Sequence, residues 1–134
     1  MFKEALIVDA SCIGNPGPME YRILDLKTKK LIYHSPIFPQ WTNNLGEFLA
    51  IVDALKYLRT HKSTKTIYSD SMTAIARVRS KKIKTTLPHS AKTKKLLEKI
   101  QESVIWLKTH NFTNKILKRE TEIRWEIPAD FGRK

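Results

Sequence analysis

Three acidic residues occupy positions where predicted strands or helices begin or end, and two more lie in the C-terminal tail. Asp9 and Asp70 each close a short apolar run that is typical of a buried strand. If those two strands are parallel neighbours, their carboxyl ends meet at one edge of the sheet, where sites form. Two carboxylates brought together repel each other, and a hard divalent cation such as Mg²⁺ or Mn²⁺ relieves that repulsion. The full set of candidate acids is Asp9, Glu47, Asp70, Glu126 and Asp130.

Each acid also has an ordinary interpretation that the sequence leaves open. Glu47, in the first turns of a predicted helix, could simply complement the helix dipole. Asp70 or Ser71 could cap the helix that follows, and Asp130 could be a surface residue. The arrangement of all these acids around one predicted sheet edge favours a functional interpretation.

The spacing of apolar residues predicts a mixed sheet with helices packed on its faces. The polar segment KTKK predicts a hairpin between the second and third strands, and the two prolines of PIFPQW indicate a break at 36–41. The predicted strands cover 4–9, 19–26, 30–38, 64–70 and 114–118, and the predicted helices cover 43–61, 72–80 and 90–110.

Length and composition predict one domain spanning residues 1–134. No apolar run approaches the roughly 20 residues that a membrane helix needs, and the N-terminus lacks the anatomy of a signal peptide. We therefore expect a cytoplasmic protein without a membrane partner. The single cysteine excludes an internal disulfide and a zinc site built from a cysteine cluster.

The chain is strongly basic, with 25 Lys and Arg against 13 Asp and Glu and a net charge of +12. Such an excess favours a polyanionic partner, with nucleic acid as the first candidate and an acidic membrane surface as the second. The basic residues cluster at 77–84, 92–95 and 115–119, where interspersed Ser and Thr suit contacts to phosphate.

Four segments together resemble the ribonuclease H family. They are VDASCIGNPGP, TNNLGEFLAIVDAL, IYSDS and EIPADFGRK, which fall in the order of the family and span almost the whole chain. The resemblance implies the ribonuclease H-like fold, an α/β architecture with a five-stranded mixed sheet flanked by helices. It also implies an endonuclease that cuts the RNA strand of an RNA–DNA hybrid and leaves a 5′-phosphate and a 3′-hydroxyl.

The resemblance implies a role for each acid. Two Mg²⁺ ions, replaceable by Mn²⁺, would be held by Asp9, Glu47, Asp70 and Asp130. Asp9 would bridge the ions, Asp130 would hold the ion that activates water, and Glu47 and Asp70 would hold the ion near the leaving oxygen. Glu126 would aid metal exchange or product release.

The same resemblance implies how the hybrid is recognised. Residues at the first strand end and at the start of the first long helix would contact 2′-hydroxyls and the minor groove, since the 2′-hydroxyl distinguishes RNA from DNA. Thr42, Asn44, Thr85 and Thr86 would bind a phosphate of the DNA strand. The substrate-binding set is Ser11, Cys12, Gly14, Asn15, Thr42, Asn43, Asn44, Thr85 and Thr86.

The sequence departs from the family pattern at some positions. Met72 stands where many relatives carry Gln, and no histidine occurs near Glu120 and Glu122, where other branches carry a catalytic one. Two alternatives remain: a non-catalytic nucleic-acid-binding module, and a polynucleotidyl transferase or resolvase of the same fold that acts on DNA. We expect a monomer with no protein partner.

Overall fold

The strands and helices of the computed structural model follow the order that the sequence predicts, with one additional strand before the first helix. The structure describes residues 5–12, 17–41, 43–83 and 94–118. The elements are β1 (Ala5–Cys12), β2 (Gly17–Asp25), β3 (Leu31–His34), β4 (Phe38–Trp41), α1 (Asn43–Thr60), β5 (Thr66–Ser69), α2 (Met72–Ser80), α3 (Lys94–Thr109) and β6 (Ile116–Lys118).

The sheet is mixed, as predicted. Its strands lie in the order β3-β2-β1-β5-β6, with β4 attached to β2 beside this path. β2 pairs in antiparallel orientation with both β1 and β3, whereas β5 pairs in parallel with both β1 and β6. The hairpin predicted at KTKK and the parallel pairing of β1 with β5 are therefore both confirmed. The predicted end of the first strand at Asp9 is wrong, because pairing with β2 extends β1 three residues further, to Cys12.

The predicted break at 36–41 is wrong for its second half, because Phe38–Trp41 forms β4 along the same edge of β2 as β3. The interruption is confined to residues 35–37. There the Ser35 Oγ accepts a hydrogen bond from the Tyr21 amide at 2.9 Å, and the Ser35 amide donates to the Tyr21 carbonyl at 2.8 Å. Pro39 is tolerated within β4 because an edge strand can spare an amide donor.

The main core joins one face of the sheet to all three described helices. Leu6, Val8 and Ala10 of β1 are buried in it. α1 is buried on almost every side, from Leu45 to Leu58, which explains its nearly continuous apolar sequence. None of the described helices is both long and apolar enough to cross a membrane.

A partly buried polar link joins β2, α1 and α3 within this layer. The hydroxyl of the fully buried Tyr21 donates a hydrogen bond to Asp53 Oδ2, and Lys99 Nζ lies 3.2 Å from Asp53 Oδ1. Burial and the neighbouring Asp53 carboxylate raise the pKa of the Tyr21 hydroxyl well above its usual range. This hydroxyl is therefore a permanent donor that fixes the position of α1 on the sheet.

Gly46 allows the first turn of α1 to approach the sheet closely. A β-carbon added at this position would lie 2.6 Å from the sulfur of Met19 and 2.9 Å from the β-carbon of Ala10. Both distances are shorter than van der Waals contact, so any side chain here forces the helix away from β1 and β2. Glu47 is the next residue, and its position depends on the same close approach.

We expect Gly46→Ala to lower the free energy of unfolding by about 1–3 kcal/mol, because overpacking outweighs the better helix propensity of alanine. Urea denaturation followed by circular dichroism measures the change. Met19→Ala removes the atom that would lie nearest the new methyl group, so the double variant should lose less stability than the sum of the single variants. Equal stability of Gly46→Ala and the parent protein would contradict this assignment.

Candidate active site

Asp9 and Asp70 lie at the same level of two adjacent parallel strands. The β1–β5 register pairs Ile7 with Tyr68, and two residues further along it reaches Asp9 and Asp70. Asp9 is buried, with 5% of its surface exposed, whereas Asp70 follows the last residue of β5 and is exposed. The structure therefore places both acids at one sheet edge, as their positions in the sequence predict.

Glu47 connects α1 to both of these strands. Its Oε2 accepts a hydrogen bond from the Ala10 amide at 2.9 Å, and its Oε1 accepts one from the Ser69 hydroxyl at 2.7 Å. The carboxylate is 4% exposed. Its buried partners lie on the two central strands, so a role limited to complementing the helix dipole does not account for Glu47.

Ser69 and Ser71 extend this network to α2. The Ser69 Oγ accepts a hydrogen bond from the Ser71 amide at 3.1 Å, and the Ser71 Oγ accepts one from the Ala74 amide at 3.0 Å. Ser71 is therefore the cap of α2. Because Ser71 takes this position, Asp70 is not the cap of α2.

Asp9 and Asp70 act electrostatically on Glu47. The pKa of Glu47 is raised to about 8, first because the group is buried and then because the negative charges of Asp9 and Asp70 oppose its ionisation. The hydrogen bonds from Ser69 and Ala10 act in the opposite direction but do not cancel the rise. Glu47 is therefore an acid whose charged form is costly until a positive charge arrives.

Positive side chains lie on both sides of the acids. Arg22 of β2 is directly opposite Asp9 in the antiparallel register, which places the two side chains on the same face of the sheet. Lys118 of β6 pairs in register with Ser69, and its Nζ lies 3.8 Å from Asp70 Oδ1. Both side chains of this ion pair are about two-fifths exposed.

The donor set of this edge has the chemistry that a hard divalent cation requires. Asp9, Glu47 and Asp70 offer only carboxylate oxygens, which Mg²⁺ and Mn²⁺ prefer. A cation would also offset the repulsion that raises the pKa of Glu47. The residues therefore fit such an ion, although within the described ranges no group of three acidic, histidine or cysteine side chains is placed so that it could already hold one.

The remaining predicted site residues divide into two groups. Ser11 and Cys12 end β1, and Asn43 and Asn44 begin α1, one turn before Glu47. These four therefore belong to the edge that carries the acids. The others lie outside the described residues: Gly14, Asn15, Thr42, Thr85, Thr86, Glu126 and Asp130.

Three contributors to this edge were not identified from the sequence as parts of the site. Ser69 carries no signal in the motif, because its importance comes only from the hydrogen bond to Glu47. Gly46 could have been suspected as a glycine next to a candidate acid inside a predicted helix. Lys118 was included only in the general basic cluster at 115–119.

The metal-free protein should lose stability as the pH rises from about 4.5 to about 8. The raised pKa of Glu47 means that the folded protein holds this proton more tightly than the unfolded chain. The contribution of protonated Glu47 to stability is complete below its unfolded-state pKa and is lost as the pH rises past its folded-state pKa. Glu47→Gln should therefore flatten the profile, by at most about 1.4 kcal/mol per pH unit, in urea titrations performed with a chelator. Parallel profiles for the two proteins would contradict this interpretation.

Comparison with known proteins adds evidence from sequence. The family model described as RNase H matches residues 3–122, which is most of the chain. A ribonuclease H from Baumannia cicadellinicola subsp. Homalodisca coagulata is 40% identical over 57 residues, a segment that covers 42% of this chain and 37% of that protein. The matched segment is therefore well under two thirds of that relative's length.

Solved structures show the same fold. LC11-RNase H1, isolated from compost by a metagenomic approach, has a TM-score of 0.56 at 21% identity, covering 91% of this chain and 87% of that one. The RNase H1 of Halobacterium salinarum has a TM-score of 0.55 at 13% identity, covering 92% and 90%. A further LC11-RNase H1 structure, with a TM-score of 0.55 at 21% identity and coverage of 90% and 87%, is a complex with an RNA/DNA hybrid.

Proposed function

The chain belongs to the ribonuclease H family of nucleases, and on that premise we propose that it hydrolyses the RNA strand of RNA–DNA hybrids, leaving 5′-phosphate and 3′-hydroxyl ends. The observation that carries the proposal is the placement of Asp9 and Asp70 just beyond the last parallel pair of β1 and β5, with Glu47 hydrogen-bonded to both strands. The hybrid bound to LC11-RNase H1, a protein of the same fold, supports the choice of substrate.

The proposed cofactor is a pair of Mg²⁺ ions, for which Mn²⁺ can substitute. Asp9, Glu47, Asp70 and Asp130 would hold them, and Glu126 would assist exchange of the metal or release of the product. When bound, divalent cations supply an activated water and stabilise the charge on the leaving oxygen.

The protein groups prepare this site in distinct ways. Each Glu47 oxygen accepts one hydrogen bond, from Ala10 or from Ser69, which fixes the carboxylate and leaves further lone pairs for a ligand. Asp9 is buried and therefore desolvated, so its attraction to a cation is stronger than it would be in bulk water. Asp70 is exposed and can adjust its position when substrate arrives.

The proposed binding surface for the hybrid includes residues of the same edge. Ser11, Cys12, Gly14 and Asn15 would approach the RNA sugars, and Asn43 would contact a 2′-hydroxyl. A second group, Thr42, Asn44, Thr85 and Thr86, would bind a phosphate of the DNA strand. The net charge of +12 supports binding to a polyanion.

Asp9→Asn and Asp70→Asn should each reduce Mg²⁺-dependent cleavage of a labelled hybrid by at least about 100-fold, because removing a group that stabilises transition-state charge costs this much. Thermal unfolding and hybrid binding should change little. Asp25→Asn is the matched control, because Asp25 lies at the opposite end of β2 and pairs with Lys65.

The same assay separates the three functional classes when double-stranded RNA and double-stranded DNA are offered beside the hybrid, with Mg²⁺ and then with a chelator. Metal-dependent cutting of the hybrid's RNA strand alone supports the proposal. Cutting of DNA would indicate a transferase or resolvase, and binding without cutting would indicate a non-catalytic module. Near-normal activity of Asp9→Asn or Asp70→Asn would refute the assigned site.

The double variant Thr85→Ala, Thr86→Ala should weaken hybrid affinity by about tenfold, since each hydroxyl lost from a phosphate contact removes a net hydrogen bond of about 0.5–1.5 kcal/mol. Fluorescence anisotropy with a labelled hybrid and a chelator measures this affinity without turnover. Unchanged affinity, together with unchanged KM and kcat, would remove both residues from the binding surface.

A further inference from the structure

We propose that Lys118 competes with a divalent cation for Asp70 and so weakens the metal affinity of the site. This inference rests on the proposed function, because Asp70 is a metal ligand only within that proposal. It concerns a residue that neither the motifs nor the carboxylate set includes.

The backbone places Lys118 beside the acid cluster. β5 and β6 are parallel, and their register aligns Lys118 with Ser69, the residue immediately before Asp70. The Lys118 Nζ lies 3.8 Å from Asp70 Oδ1. This arrangement orients an ammonium group towards the most exposed of the three described acids.

The contact belongs to an ion pair that can open. The side chains of Lys118 and Asp70 are 43% and 42% exposed, and pairs in such surroundings are weak because water screens them. Glu47, in contrast, is buried and held at both oxygens. Within the described site, Asp70 is therefore the acid whose carboxylate most readily changes partner.

The same charge opposes an incoming cation. A metal ion that binds Asp70 must displace the ammonium from the carboxylate, and it then remains close to a like charge. At about 4 Å in water, two unit charges interact strongly enough to change a binding constant about fivefold. Removing the charge of Lys118 should therefore tighten metal binding by about that factor.

The described acids are not arranged as a metal cluster while Asp70 pairs with Lys118. No group of three acidic side chains in the described ranges is placed to hold an ion. The described partner of Asp70 is instead the ammonium group of Lys118. We infer that Asp70 leaves Lys118 when the site is loaded.

Titration calorimetry with Mn²⁺ tests the proposal without relying on turnover. Lys118→Met should bind Mn²⁺ about fivefold more tightly than the parent protein at low ionic strength. The difference should shrink in 0.5 M KCl, because salt screens exposed charges over a few ångströms (about 4 Å at this concentration). A merely structural role of Lys118 would not produce this dependence on salt.

Two further variants serve as controls. Lys115→Met removes the same charge from an exposed position just before β6 and should leave Mn²⁺ affinity unchanged. Lys118→Arg keeps the charge and should bind Mn²⁺ like the parent protein. Thermal unfolding of each variant with a chelator confirms that the fold is retained.

The outcomes also separate this inference from the proposed function. Unchanged or weaker Mn²⁺ binding by Lys118→Met, in a protein that cleaves hybrids and binds Mn²⁺ through Asp70, overturns the role of Lys118 alone. If Asp70→Asn binds Mn²⁺ as well as the parent protein and hybrids are not cleaved, the proposed function fails and this inference fails with it.

Discussion

The geometry of the site depends on the two hydrogen bonds that the Glu47 carboxylate accepts. It accepts hydrogen bonds from the Ala10 amide of β1 and the Ser69 hydroxyl of β5, so one side chain of α1 holds the ends of both central strands. Burying such a group is costly, and the raised pKa of Glu47 expresses that cost. The rest of the fold compensates by packing α1 into an almost continuous apolar environment.

α1 therefore combines a stabilising contribution, burial of its apolar side chains, with a destabilising one, burial of the Glu47 carboxylate. From Leu45 onwards α1 is stabilised by burial of apolar surface, and a partly buried polar link formed by Tyr21, Asp53 and Lys99 helps to fix its position. Gly46 brings the first turns close enough for Glu47 to reach the strands. Burial of the apolar side chains of α1 offsets the cost of burying the Glu47 carboxylate.

Much of the architecture could be predicted from the sequence because the relevant signals are local. Apolar periodicity located α1, α2 and α3, and an Asp at the end of each of two buried runs located the shared edge of β1 and β5. β4 was missed because two nearby prolines indicate a break, whereas tolerance of Pro39 depends on its position at a sheet edge. That position is a property of the assembled sheet.

The site was less predictable for the same reason. The types of its acids are visible in the sequence, but the partners that orient them are set by three-dimensional contacts. Ser69 is an ordinary strand residue until Glu47 reaches it. Lys118 resembles its basic neighbours until the parallel register of β6 brings it to Asp70. The chemical type of each side chain can thus be taken from the sequence. Which charged groups lie next to each other can be known only once the register of the strands is known.

The interruption between β3 and β4 has a consequence for solubility. An unbroken edge strand presents a row of free amides and carbonyls on which another chain can pair, which is a route to aggregation. Here that edge is divided into two four-residue pieces. Pro39 removes one donor from the second piece. A segment that carries exposed Leu31 and Tyr33 is thereby a poor template for growth of the sheet into a second molecule.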